Sequence, residues 1–255
     1  MRTANDPELL SVTRALLVER IGAALRLLGE TSEVDALFSL LGTEAIERLV
    51  ASLRSVDNPE LALVVARGLL RLSARTVVDQ LPGLKSVAVG AVVSETARLP
   101  FNDARPLLVL ALNHVDKAAR EVTLSRLPQA HALPMGSEVR KRLSDRDLEV
   151  RLAAIRLITE LEDRLSLPAL LAQASRVTGP ERRAVLGALG VLGGAEAVNV
   201  LRAEFVNEKN LELRCAIAES LGKQGDRASL DLLRKESSRL LCPAALKDVC
   251  ARYLK

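Results

Sequence analysis

Apolar residues in the C-terminal half of the chain recur at helical spacing. From Asp147, residues Val150, Ala153, Ala154, Leu157 and Leu161 fall at the three- and four-residue steps of one helix face. A break at Glu162-Asp163 follows, and a second apolar set, Leu167, Leu170 and Ala174, begins beyond it. The pattern then repeats. Breaks at Gly193-Gly194 and Gly225-Asp226 precede Val198, Leu201 and Phe205, and then Leu230, Leu233 and Ser237. Each period predicts two helices of about three turns joined by a tight turn, an αα-hairpin. Residues Ser86 to Val93 form another apolar run, too short for a membrane span and read as a buried helix.

The polar positions carry the same period. Arg120, Arg151, Arg182 and Arg214 stand 31, 31 and 32 residues apart, and four residues before each comes Asp116, Asp147, Thr178 or Asn210. Such side chains accept hydrogen bonds from the unpaired N–H groups of a helix start, so helices are expected to begin at a fixed interval. Asn58-Pro59-Glu60 is a further start of this kind, with proline at the first helical position. A fixed period of this length is the mark of stacked helix pairs. For the arginine column the favoured reading is structural, each guanidinium pairing with carboxylates of neighbouring repeats such as Asp147 or Asp163. The functional alternative is an anion-binding ladder.

Residues 150–171 contain Val150-Arg151, Ala153-Ala154, Asp163 and Leu167-Pro168-Ala169-Leu170-Leu171, and residues 213–233 contain Leu213-Arg214, Leu221-Gly222, Gly225-Asp226 and Leu232-Leu233. This run resembles the HEAT family in its short bacterial form, the PBS-lyase-type HEAT-like repeat. The resemblance is clearest over 116–240 and weaker over 57–85. It implies an all-α fold, a right-handed α-solenoid of about seven to eight antiparallel helix pairs. One continuous domain is expected: an irregular helical cap over 1–56, HEAT-like repeats over 57–240, and a capping helix over 241–255. The cap is strongly apolar through Leu9, Leu10, Leu16, Leu17, Ile21, Leu25 and Leu28, and an alternative use of that surface is a homodimer. The repeat itself says little about activity, because the same unit carries lyases, scaffolds and adaptors.

Composition narrows the class. The chain is 49% hydrophobic but only 2% aromatic, with no Trp and one Tyr, which suits helices packed through Leu, Val and Ala. No segment reaches the ~18 apolar residues of a membrane helix, and the N-terminus lacks the basic start and apolar core of a signal peptide. A bacterial, cytoplasmic protein is expected. Cys215, Cys242 and Cys250 show no CxxC spacing and read as packing residues.

The chain offers little chemistry. His114 and His131, the only histidines, read as surface or capping residues, and no phosphate-binding loop stands out; Gly190, Gly193 and Gly194 fall at a repeat turn. No catalytic residue, metal site or cofactor is expected. A lyase or DNA glycosylase is disfavoured, since base handling calls for aromatic platforms that this chain lacks.

One feature rises above that background. Twenty residues beyond each repeat arginine stand Arg140, Leu171, Arg202 and Arg234, followed by Lys141, Ala172, Ala203 and Lys235. Second helices of HEAT-type stacks line the concave face, so Arg140, Lys141, Arg202, Arg234 and Lys235 are expected to form an interrupted basic stripe along a groove. The bland alternative is a solvated flank neutralised by Glu138, Glu204 and Glu236. Residues 116–255 carry 24 basic and 19 acidic groups against 12 and 13 in residues 1–115, so the positive excess lies in the clear repeats. The expectation is an adaptor or scaffold for protein–protein interaction, binding a partner with an acidic segment; a nucleic-acid-binding solenoid is the alternative. Reversing Arg202 and Arg234 to Glu is expected to weaken binding and leave melting nearly unchanged.

Overall fold

The computed structural model describes residues 45–254, which hold fourteen α-helices and no β-strand. The expected cap and homodimer surface within residues 1–44 lie outside the described residues. The chain packs as two units, an N-terminal one ending at Glu138 and a C-terminal one beginning at Val139.

In the N-terminal unit, α1 (Ile46–Ser55) packs on α2 (Pro59–Gln80), which packs on α3 (Ser86–Glu95). Asn58 caps α2 as the sequence predicts, its side chain accepting from the Leu61 amide at 2.9 Å. The long α2 is kinked: Ser73 leaves the helical region at φ −161° and its Oγ accepts from the Thr76 amide, capping the stretch that follows. The run from Ala88 to Val93 is buried without interruption, so α3 is the interior helix that its sequence implies. Helices α4 (Phe101–Leu112) and α5 (Lys117–Arg126) complete the packing around α3, and the short α6 (Gln129–Ala132) follows.

The C-terminal unit takes in Val139–Lys141, the last residues of α7 (Gly136–Lys141). Three hairpins follow: α8 (Leu148–Glu160) with α9 (Leu167–Ala174), α10 (Gly179–Leu192) with α11 (Ala195–Asn207), and α12 (Leu211–Gln224) with α13 (Arg227–Ser237). First helices pack on first helices (α8, α10, α12) and second helices on second helices (α9, α11, α13), the arrangement of a HEAT-like α-solenoid. Their core is Leu, Val, Ile and Ala with one fully buried aromatic, Phe205. Helix α14 (Ala244–Arg252) lies against α12 and α13, in the segment expected to hold a capping helix. Gly222 makes that contact close: a Cβ there would lie within clashing distance of ring carbons of Tyr253.

The predicted caps divide by chemistry. Asp116 and Asn210 each accept from an amide of the helix they start, Ala118 and Leu213 respectively. Asp147 and Thr178 hold the extended N-cap backbone without that bond, and Asp147 turns toward Arg146 at 3.3 Å instead.

Both histidines correct the expectation of surface positions, because His114 and His131 are buried. His114 Nδ1 accepts from the Asp116 amide at 3.1 Å, which is a capping role. His131 Nε2 pairs with the Thr96 carbonyl at 2.8 Å, and its ring packs 5.8 Å from Phe101. Cys250 is buried, whereas Cys215 and Cys242 are half-buried. Burial pushes the Cys250 thiol up to about 11, so it stays protonated at neutral pH.

Candidate functional site

The four repeat arginines act structurally, with partners other than those predicted. Arg151 on α8 makes a bidentate pair with Glu181 of the next repeat, at 2.7 and 2.8 Å, and donates to the carbonyls of Asp145 and Arg146. Arg120 repeats the backbone part, donating to the carbonyls of His114 and Val115. The planar five-donor guanidinium explains why arginine and not lysine holds this column: it caps loose carbonyls and grips a carboxylate together. Glu181 raises the Arg151 guanidinium above its ordinary value, against the opposing effect of burial. Arg182 and Arg214 close their own hairpins. Arg182 pairs with Glu204 and Glu208, and Arg214 reaches Glu236 at 3.1 Å while lying 5.1 Å over the Phe205 ring. Asp147 and Asp163, the predicted partners, face Arg146 and Arg140.

The members of the expected basic stripe take corresponding sequence positions on α7, α11 and α13 and differ in availability. Arg140, in the last turn of α7, donates to Asp163 at 2.7 Å, and Asp163 also accepts from Ser166 Oγ at 2.8 Å. Arg202 on α11 donates to Asp226 at 2.9 Å, and Asp226 caps α13 through the Ser229 amide at 3.1 Å. Each arginine thus clasps the aspartate that begins the following second helix, and its side chain is about three-quarters covered. Burial pushes the Asp226 carboxyl up, but Ser229 and Arg202 outweigh it and hold the group below the usual aspartate range.

The intervening rung is absent as a block. Leu171 replaces the arginine, Gly194 the aspartate and Ala197 the serine. Gly194 also takes φ 95°, in the left-handed region, so an aspartate there would be strained as well as unpartnered. One repeat earlier the corresponding residues are Val109, Ala132 and Met135. A rung is present whole or replaced whole, as expected when removing one partner would leave a partly covered charge unpaired.

The C-terminal members are more open. Arg234 on α13 is 62% exposed and, among the described residues, pairs only with Asp231 of its own helix, itself 57% exposed. Lys235 beside it is exposed and has no carboxylate within ion-pair distance among the described residues; Lys141 is also exposed. Two of the three acids expected to neutralise the flank have other partners: Glu204 holds Arg182, and Glu236 holds Arg214 and Arg239. Beside the second rung lies an open cleft lined by Gly194, Val198, Asn199, Gln224 and the Arg202–Asp226 pair.

No group of three or more His, Cys, Asp or Glu among the described residues is placed to hold a metal ion, and no described helix is long and apolar enough to cross a membrane.

Comparison with known proteins gives one family match. Residues 213–236, the end of α12's first turn through most of α13, match the family model of the PBS lyase HEAT-like repeat. The matched stretch contains Arg214, Gly222, the Asp226 cap and the exposed Arg234-Lys235 pair. No curated protein matches the chain.

Proposed function

We propose that the protein is a non-enzymatic adaptor that binds a protein partner through an acidic segment of that partner. HEAT-like repeats generally mediate protein–protein interaction, and three consecutive second helices give an extended preformed surface. The carrying observation is the exposed cationic end of the stripe, Arg234 and Lys235, where no clasp consumes the charge. Arg140 and Arg202, at the corresponding positions of α7 and α11, are neutralised by Asp163 and Asp226 and serve to hold adjacent repeats together. Mixed charge of this kind suits local complementarity with a protein better than a uniform phosphate backbone. A non-enzymatic role accords with the histidines, both packed into structural hydrogen bonds. Free cysteines suit a reducing bacterial cytoplasm.

The test is a titration with fluorescently labelled polyglutamate against random duplex DNA at physiological ionic strength. Salt-sensitive binding of the polypeptide, weakened by Arg234→Glu with Lys235→Glu, supports the reading. Strong salt-sensitive binding to the duplex in its place makes the surface a nucleic-acid site and overturns it.

A further inference from the structure

At one end of the last hairpins the chain exposes aliphatic side chains that its own packing does not use. Leu240 and Leu241, in the turn between α13 and α14, are 99% and 91% exposed, and Val206, closing α11, is 64% exposed. Leu211, opening α12, is 39% exposed. Hairpin topology brings these together: the end of α11, the start of α12 and the end of α13 lie at the same end of antiparallel helices packed on one another. Two adjacent leucines left in water forgo the gain of burial. Single exposed apolar residues are ordinary, but a cluster at one edge marks an interaction surface.

Charge around the cluster selects the occupant. Lys209 and Lys235 are exposed and have no ion-pair partner among the described residues, and Arg239 is 64% exposed although it touches Glu236. The acids at this end are held by arginines: Glu204 and Glu208 by Arg182, Glu212 by Arg183, and Glu236 by Arg214 and Arg239, which leaves Lys209 and Lys235 as the uncompensated charges. We infer that this edge docks an amphipathic acidic segment of a protein partner, with Leu240 and Leu241 against the segment's apolar face and Lys209, Lys235 and Arg239 against its carboxylates. A membrane surface fits less well. Interfacial anchors favour Trp and Phe, whereas this edge is purely aliphatic.

The inference rests on the protein-binding reading and adds the apolar anchor and the amphipathic character of the bound segment. The experiment compares two probes on the full chain: labelled polyglutamate, and a synthetic helix with one leucine face and one glutamate face. Phosphatidylserine-containing vesicles form a third arm. The amphipathic peptide should bind more tightly than polyglutamate, and Leu240→Ser with Leu241→Ser should weaken it about ten-fold, equivalent to ~1.4 kcal/mol, while leaving polyglutamate binding unchanged. Since both leucines are already in water, helicity and melting should not move. Equal affinities for the two peptides, or indifference to the leucine change, would overturn the apolar anchor while the acidic-partner reading stands. Failure of both peptides would remove that reading too. Leucine-dependent vesicle binding without peptide binding would replace the protein partner with a membrane.

Discussion

Arg202 holds Asp226 across the boundary between two repeats, and Asp226 in turn caps the helix that carries Arg234. The pair converts a surface cation into an inter-repeat clasp. Charge reversal at Arg202 therefore does more than the sequence-based expectation of unchanged melting allows, because Arg202→Glu sets two carboxylates against each other at a helix start. A double-mutant cycle of Arg202→Ala and Asp226→Ala should give a coupling energy of ~0.5–1 kcal/mol, as for a partly exposed pair. Arg202→Glu should lower the melting temperature by a few degrees, and Arg234→Glu should not. Additive single changes at Arg202 and Asp226 would dissolve the clasp.

Glycine at 222 sets how closely α14 approaches α12. Gly222→Ala drives a methyl group into the Tyr253 ring, so the helix must shift at a cost of ~1–3 kcal/mol. Tyr253 is the one tyrosine in a chain without tryptophan, which makes its fluorescence a direct report on α14. Urea unfolding followed at that wavelength should give a lower midpoint for the variant, and its native spectrum should approach that of a solvated tyrosine. An unshifted midpoint would show that α14 yields without cost.

Acid should loosen the C-terminal unit through two carboxylates. The Asn210 amide, reinforced by Arg182 and opposed by burial, holds Glu208 below its usual range, and Asp226 is held low likewise. Unfolded Asp and Glu lose their protons near pH 4, so the folded state binds fewer protons just below that value. Their stabilising contribution is complete above about pH 4–5 and is lost as pH falls through the lowered folded values. Melting temperature measured from pH 7 down to pH 3 should drop more steeply for the wild type than for Glu208→Gln combined with Asp226→Asn. Parallel curves would assign the acid sensitivity to other groups.

How much of this was legible beforehand follows from the range of each interaction. The hairpin breaks at Asp163, Gly193-Gly194 and Gly225-Asp226 and the caps Asn58, Asp116 and Asn210 are settled within one helical turn, and they appear where the sequence puts them. Partners of the arginines are settled by lateral packing 22–30 residues away, and sequence proximity misdirected that choice. A signal for the clasp did exist in the joint replacement of Arg, Asp and Ser by Leu171, Gly194 and Ala197, visible only when three columns are compared at once. Buried Glu95, gripped by Arg67 at 3.0 Å through both carboxylate oxygens, gave no such cue, since its repeat departs most from the pattern. The histidines misled for a related reason: polar residues beside turns look solvated until a neighbouring helix covers them.

The account stands on a division of labour within the expected basic stripe, structural at Arg140 and Arg202 and open for binding at Arg234 and Lys235. The direct test is a polyglutamate titration, at low and at physiological salt, of the wild type, of Arg140→Gln with Arg202→Gln, and of Arg234→Glu with Lys235→Glu. We predict that the C-terminal reversal weakens binding about ten-fold and flattens its salt dependence without changing the melting temperature. The clasp variant should lose melting temperature and keep most of its binding. Contradiction would be the converse: binding abolished by the clasp variant and untouched by reversal at Arg234 and Lys235.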